Sequence, residues 1–189
     1  MAAGEFAHLI SINENDMTVE PFKETAQVRD FDCGNDALND FLCTEEVSSY
    51  EKEGLGRTHL VYCRGTLVAY FTVSFGDIRI EYLKTFRSFS KFAQMNIESV
   101  PALKIGRLAV HKRFQNQGIG RYLIRYIAGM ALEMGGQSGV RLLMLQAKPE
   151  SILFYKKCGF QLTSEVSRER KRINRTMFVD LYYIGGITA

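Results

Sequence analysis

Apolar and polar positions divide the chain into short runs of two kinds. Leu38, Phe41 and Leu42 recur at helical spacing, and Asn35 or Asp36 stands where an N-cap belongs. The pattern predicts a helix that continues in polar form to about Lys52 and ends at Gly54 and Gly56. Residues 18–21 begin a first strand. Residues 58–63 and 67–74 read as two more, joined by a tight hairpin turn at Arg64-Gly65. Residues 103–110 have the apolar density of a buried strand, and 140–147 form a nearly continuous apolar run, as expected of one covered on both faces. Between them Ile119, Leu123, Ile127, Met130 and Met134 lie three and four apart, the apolar face of a helix that Gly135-Gly136 should end. Gly129 inside that helix costs about 1 kcal/mol relative to alanine, so close packing is expected to require it. Pro149 suits the first turn of a short helix over 149–158, with Gly159 after it. Residues 160–165 and 175–184 read as a final hairpin with a basic loop.

Residues 76–99 read two ways. Ile78, Ile80 and Tyr82 alternate like a strand, whereas Leu83, Phe86, Phe89 and Phe92 recur every third residue like a helix. So much aromatic surface makes either a packed lid or partner-facing patch, or a short amphipathic helix that completes the core. The whole order is strand, helix, two or three strands, strand–helix–strand–helix, then two strands. That is a mixed α/β arrangement, read as a single domain over residues 1–189. Residues 1–15 are set aside as a tag or flexible start.

Composition narrows the function classes. The 189 residues are 46% hydrophobic and 24% charged, enough for a sizeable core, and no apolar run approaches the roughly 20 residues of a membrane span. The start lacks a secretory signal. A net charge of +3 does not by itself imply nucleic acid. Cys33, Cys43, Cys63 and Cys158 form no C-x-x-C pair, and His8, His59 and His111 are scattered, so no metal site is expected. Scattered single cysteines fit reduced thiols in the cytoplasm.

The chain turns on Gln115 to Gly120, Gln-Asn-Gln-Gly-Ile-Gly, set between a buried strand and a helix start. The first turn of a helix has N–H groups without internal partners and a partial positive charge, which suits a phosphate. Gly118 and Gly120 remove side chains that would hold a pyrophosphate off the backbone, and Arg121 and Arg125 lie one turn apart beside it. The dinucleotide fingerprint fails, because Leu123 occupies the third glycine position, and there is no P-loop. The motif that does match, Q/R-x-x-G-x-G/A after a strand, resembles the acyl-CoA pyrophosphate loop of the GNAT N-acetyltransferases. A second motif agrees with it. Phe154-Tyr155-Lys156-Lys157-Cys158-Gly159-Phe160 resembles the family's F-Y-x-x-x-G-F, whose tyrosine sits near the thioester sulfur.

The resemblance covers roughly residues 18–184 and implies the GNAT fold, with a mixed central sheet of six or seven strands flanked by about four helices. It implies an acetyl-CoA-dependent N-acetyltransferase in which an amine attacks the thioester directly, with no metal. Tyr155 would be catalytic. The cofactor would lie on Leu108, Ala109, Val110, Gln115, Asn116, Gln117, Gly118, Ile119, Gly120, Arg121, Phe154 and Lys157. An N–H from residues 108–110 would face the thioester oxygen, on a strand that splays from its neighbour. Reference pKa values make full proton transfer from Tyr155 to the leaving thiolate uphill by roughly 2 kcal/mol, so hydrogen bonding is the other role open to it.

Many family members carry a glutamate on that strand as base. Here it reads Leu-Lys-Ile-Gly-Arg-Leu-Ala-Val, with no carboxylate. The base is either elsewhere, with Glu98 acting through water as one candidate, or absent, which suits an amine of lowered pKa such as an aminoacyl ester.

The stretches 31–42 and 101–120 resemble GNAT-type toxins of toxin–antitoxin pairs. Those toxins acetylate aminoacyl-tRNA and are held by a small ribbon–helix–helix antitoxin. Arg168, Arg170, Lys171, Arg172 and Arg175 on the final hairpin, with Lys112, Arg113, Arg121 and Arg125 near the loop, offer charge for tRNA. Three readings stay open: a transferase with a small or protein amine as acceptor, a tRNA-acetylating toxin, and an inactive acyl-CoA or RNA binding module. Homodimers are common in the family.

Overall fold

The computed structural model describes residues 14–24, 28–164 and 174–183. One seven-stranded sheet runs through it, in the order β1-β2-β3-β4-β5-β7-β6. The strands are β1 (Met17–Pro21), β2 (Arg57–Cys63), β3 (Thr66–Arg79), β4 (Ser99–Val110), β5 (Leu142–Ala147), β6 (Gln161–Leu162) and β7 (Arg175–Asp180). Among the described residues only β4 and β5 pair in parallel. Four α-helices accompany them among the described residues: α1 (Asp36–Cys43), α2 (Glu46–Lys52), α3 (Ile119–Ser138) and α4 (Ile152–Lys157). This is the mixed α/β sheet that the hydrophobic pattern and the family motifs imply.

The sheet divides the core in two. On one face α3 and α4 pack over Phe71, Val73, Leu103, Ile105, Leu143 and Leu145. On the other, α1 and α2 cover Leu60 and Tyr70, while the aromatic segment after β3 covers Val100, Ala102, Leu142 and Phe178. Each large apolar side chain so buried contributes about 1.5–3 kcal/mol.

Local chemistry sets the boundaries. Asn35 caps α1 by accepting the Leu38 N–H, as its position in the sequence suggests. The helix predicted to reach Lys52 breaks at Thr44, which turns extended, and its hydroxyl accepts the Glu46 N–H to start α2. At the β2–β3 hairpin both Arg64 and Gly65 have positive φ, the conformation of a type I′ turn. The ambiguous stretch is strand as far as Arg79 and then forms 3-10 turns at Ile80–Tyr82 and Arg87–Gln94. A spacing of three is the period of a 3-10 helix, and it sends Leu83 and Phe89 inward against Phe178. This segment completes the core.

Two expectations about α3 fail. Gly135-Gly136 does not end it; the helix runs to Ser138 and stops at Gly139, in the left-handed region at φ 71°. Close packing does not require Gly129, since a Cβ there meets nothing within 4 Å. Gly135 is the glycine that packing needs, because a Cβ would stand 2.9 Å from the Val140 carbonyl oxygen. The first residues, most of the basic hairpin loop (Arg168, Arg170, Lys171 and Arg172) and the chain beyond Tyr183 lie outside the described residues.

Candidate active site

The site begins at an irregularity in β4. Thr72 of β3 faces Arg107, but Val73 faces Ile105, so Gly106 has no partner across the ladder. This β-bulge reverses the alternation of the strand. Before it, Leu103 and Ile105 face α3; after it, Leu108 and Val110 do, and Arg107 and Ala109 turn toward α1 and α2. The ladder between β4 and β5 stops at Ile105 and Leu145, and β5 continues against β7 alone. From Gly106 onward β4 therefore has an open edge.

The phase of the remaining ladder shows which groups use that edge. The His111 N–H donates to the Val68 carbonyl at 2.8 Å. Alternation then commits the Ala109 and Arg107 N–H groups to β3 and turns those of Leu108 and Val110 to the open side. The Val110 carbonyl points the same way and accepts from Gln115 Nε2 at 3.0 Å. Of the three predicted strand residues, Leu108 and Val110 thus face the gap, and Ala109 is buried against α1 and α2.

The loop that follows is tied down from several sides. Gln115 Nε2 also donates to the Cys33 carbonyl at 2.8 Å, and Gln117 Nε2 donates to Arg113 O at 3.1 Å. Both glutamines therefore act as braces, with their backbones left exposed. Asn116 takes a positive φ of 62° and Gly118 one of 87°. Gly118 is the N-cap of α3 and offers no side chain to it, and the first helical bond is Tyr122 N–H to Gly118 O. The N–H groups of Ile119, Gly120 and Arg121 consequently have no partner within the helix.

The two glycines do different things. A Cβ on Gly118 meets nothing within 4 Å, whereas one on Gly120 would come within 3.1 Å of Phe154 Cζ. Gly120 seats the Phe154 ring on the first turn of α3, joining the predicted loop to the predicted catalytic segment. Arg121 is exposed beside it. Arg125, expected to share that charge, is ion-paired with Glu14.

Tyr155 is half-buried on α4, edge-on to Phe154 at 5.1 Å and to Phe160 at 5.6 Å. Burial, and then Cys158, push its phenol up to about 12. It packs in the same core as Leu108 and Val110, so the phenol belongs to the face onto which β4 opens. Lys156 and Lys157 are exposed at the end of the same helix.

On the other side of the gap stands a residue the sequence reading missed. The bulge aims Arg107 at α1 and α2, where its Cζ lies 3.5 Å from the Phe41 ring centroid and 5.2 Å from that of Tyr50. Glu46 Oε1 accepts from Arg107 Nη2 at 3.2 Å. The available signal was the glycine inside an apolar strand, which marks a bulge. Glu98, the candidate base, precedes β4 and lies seven residues before Ile105, about 23 Å of extended chain. It is at the wrong end of the strand.

The residues present suit an acyl-CoA. Free amides at the start of α3 match a diphosphate, the open edge of β4 matches an amide-bearing arm, and a phenol kept protonated matches a leaving thiolate. These features define an acyl-transferring enzyme that works on a thioester. A family model of the acetyltransferase (GNAT) domain matches residues 56–162, and the chain belongs to that family. It is an acetyltransferase, and its acetyl donor is acetyl-CoA.

Among curated proteins it is similar to the tRNA-acetylating toxin of Mycobacterium tuberculosis (strain ATCC 25618 / H37Rv). The two are 24% identical over 138 residues, 72% of this chain and 79% of that protein. Among solved structures it is similar to AtaT complexed with acetyl-methionyl-tRNAfMet, with a TM-score of 0.73 and 23% identity over 89% of this chain and 97% of that one. A tyrosine-to-phenylalanine variant of KacT matches with a TM-score of 0.76 and 22% identity, over 89% and 97% of the two chains. Among the described residues no group of acidic, histidine or cysteine side chains could hold a metal ion, and no helix is long and apolar enough to cross a membrane.

Proposed function

We propose that this chain acetylates the amino group of aminoacyl-tRNA. The observation that carries the reading is the open stretch of β4, whose own residues include Arg107 and no carboxylate, while the neighbouring Glu46 is held by Arg107. An alkyl ammonium with a pKa near 10 needs a strong base at neutral pH. An α-amine, at about 8 or below once the carboxyl is esterified, does not. The guanidinium of Arg107, paired with Glu46, suits a phosphate-bearing acceptor. The similarity to a tRNA-acetylating toxin supports the same acceptor.

In this reading the diphosphate of acetyl-CoA lies on the amides of residues 116–121, with Arg121 beside it. The pantetheine arm follows the open edge of β4, where the Leu108 or Val110 N–H meets the thioester oxygen as it gains charge. Phe154 and Lys157 border the cofactor, and Tyr155 donates to the departing sulfur. A ribbon–helix–helix antitoxin, a homodimeric state and a cytoplasmic location belong to the same proposal.

Release of CoA thiol from acetyl-CoA, measured with and without charged tRNA, tests it. Release that depends on the aminoacylated form supports the assignment. Release with small amines but not with charged tRNA overturns the acceptor, and tight CoA binding without release makes the chain a binding module. Tyr155→Phe should lower turnover on the order of a hundredfold or more while leaving the KM for acetyl-CoA nearly unchanged. Unchanged turnover removes Tyr155 from the mechanism.

A further inference from the structure

The outer corner of the sheet holds a cavity that acetyl transfer itself does not use. β6 lines β7 only as far as Phe178, whereas β7 runs on along β5 to Asp180. The corner this leaves, bordered by residues 85–89, is an open cavity of about 740 Å³. That lies within the roughly 300–1,000 Å³ of small-ligand sites. Its walls are largely aromatic. Phe86 and Phe89 meet Phe178 edge-on at 4.9 and 5.8 Å, and Tyr183 stands beside them 67% exposed. Gln161, Ser88 and Arg87 supply polar groups to the same space. Arg87 is exposed, and among the described residues no carboxylate pairs with it. Asp180 also lines the cavity, but Arg141 and the Tyr182 N–H engage both of its oxygens. The charge left for a ligand is therefore positive.

The cavity lies on the acceptor side. Phe178 pairs with Met144, and Met144 with Lys104, two residues before Gly106. Gln161 stands opposite Phe178, and Asp180 is two residues further along β7, so all three share the face of the sheet toward which Arg107 turns. Two strand spacings and two residues of rise put Phe178 about 12 Å from the start of the open edge of β4. We propose that the cavity seats one unpaired nucleotide of the acceptor RNA, with its base stacked on Tyr183 and Phe86 and a phosphate on Arg87. This deepens the aminoacyl-tRNA reading and rests on it. Proteins hold single-stranded RNA ends by stacking splayed bases on aromatic rings while cations meet the phosphates. Gln161 carries both a donor and an acceptor for a base edge. An acidic side chain of a protein partner would satisfy Arg87 but offers no flat face to Tyr183. A nucleotide gripped here and an amine held at the thioester fix the strand at two points, which orients the amine for attack.

Two hairpin RNAs with the acceptor stem of a tRNA test this on the full chain, one with its unpaired 3′ end and one ending flush with the stem. Neither is aminoacylated, so binding is read apart from the reaction. By fluorescence anisotropy the wild type should bind the first about tenfold more tightly than the second. Tyr183→Leu should lose most of that preference, and Tyr183→Phe, which keeps the ring, should retain it. Arg87→Gln should weaken binding of the first RNA and lower its log–log salt slope by roughly 0.7. Melting temperatures should hold, since both side chains are exposed. Equal binding of the two RNAs by the wild type overturns the inference, as does a Tyr183→Leu variant that still tells them apart. Variants that bind RNA as the wild type does but lose a protein partner make the cavity a protein-docking site and overturn it too. Thiol release with acetyl-CoA and methionyl-tRNA separates this proposal from the one it rests on. Release with an unchanged kcat/KM for tRNA in Tyr183→Leu fails the cavity alone. No release, with the preference for the unpaired end intact, fails the acceptor assignment alone.

Discussion

Tyr155 shows how one environment sets a residue's chemistry. Its phenol is raised to about 12 by burial and by Cys158. Against a thiol of about 8.5, complete proton transfer is uphill by roughly 5 kcal/mol. The residue is therefore better suited to holding a strong hydrogen bond on the departing sulfur than to giving its proton away outright. The same shift predicts the pH behaviour. The folded protein favours the neutral phenol, so the stability Tyr155 contributes is complete below pH 10 and is lost as pH rises through about 12. Turnover that needs the protonated phenol should show no falling limb between about pH 8 and 10. A basic limb near 10 that disappears in Tyr155→Phe would show that the phenol ionises normally.

At the scale of elements, α3 is the helix most legible in the sequence and also one that carries correctable cost. Gly129 is exposed with open space around it, so Gly129→Ala should raise stability by about 0.5–1 kcal/mol in denaturant melts. Gly135→Ala should lower it, because the new methyl meets the Val140 carbonyl. Equal effects at both positions would mean that helix propensity alone decides. The strands, the hairpin turn, the loop at 115–120 and the apolar face of α3 were readable because each is written in local spacing. The 3-10 character of residues 80–94 was half readable, since a spacing of three resembles 3.6 over a short run. The Gly106 bulge was signalled only by a glycine inside an apolar strand, which does not give the register. One residue slipping out of register is a property of two paired strands, and it decides which side of the sheet Arg107 faces. The surroundings of Arg107, formed by Phe41, Glu46 and Tyr50, come from some sixty residues earlier. Only the tertiary fold joins them.

Across the whole molecule, the two sides of the gap must keep a fixed relation, because an amine and a thioester react only when held in line. Asp32 makes that connection. Its carboxylate accepts from the Gly34 N–H at 2.8 Å and from Asn39 Nδ2 at 3.1 Å, on the side of α1, and pairs with Lys112 Nζ at 2.5 Å, just before the loop. The Lys112 N–H donates to the Asp32 carbonyl as well. Led by Lys112, these partners hold the Asp32 carboxyl down at about 2. A lowered carboxylate contributes stability that is present above about pH 4 and disappears as pH falls toward 2. Asp32→Asn, which keeps an acceptor for Gly34 but gives up the charge, should therefore melt below the wild type at neutral pH. The difference should close as both are titrated from pH 4 to about 2.5. The variant should also bind acetyl-CoA a few-fold more weakly, since the loop then loses the Lys112 ion pair and keeps only the Lys112 N–H and Gln115 bonds to that side. A melting difference that stays constant into acid would mean that the carboxylate's charge plays no part in joining the loop to α1.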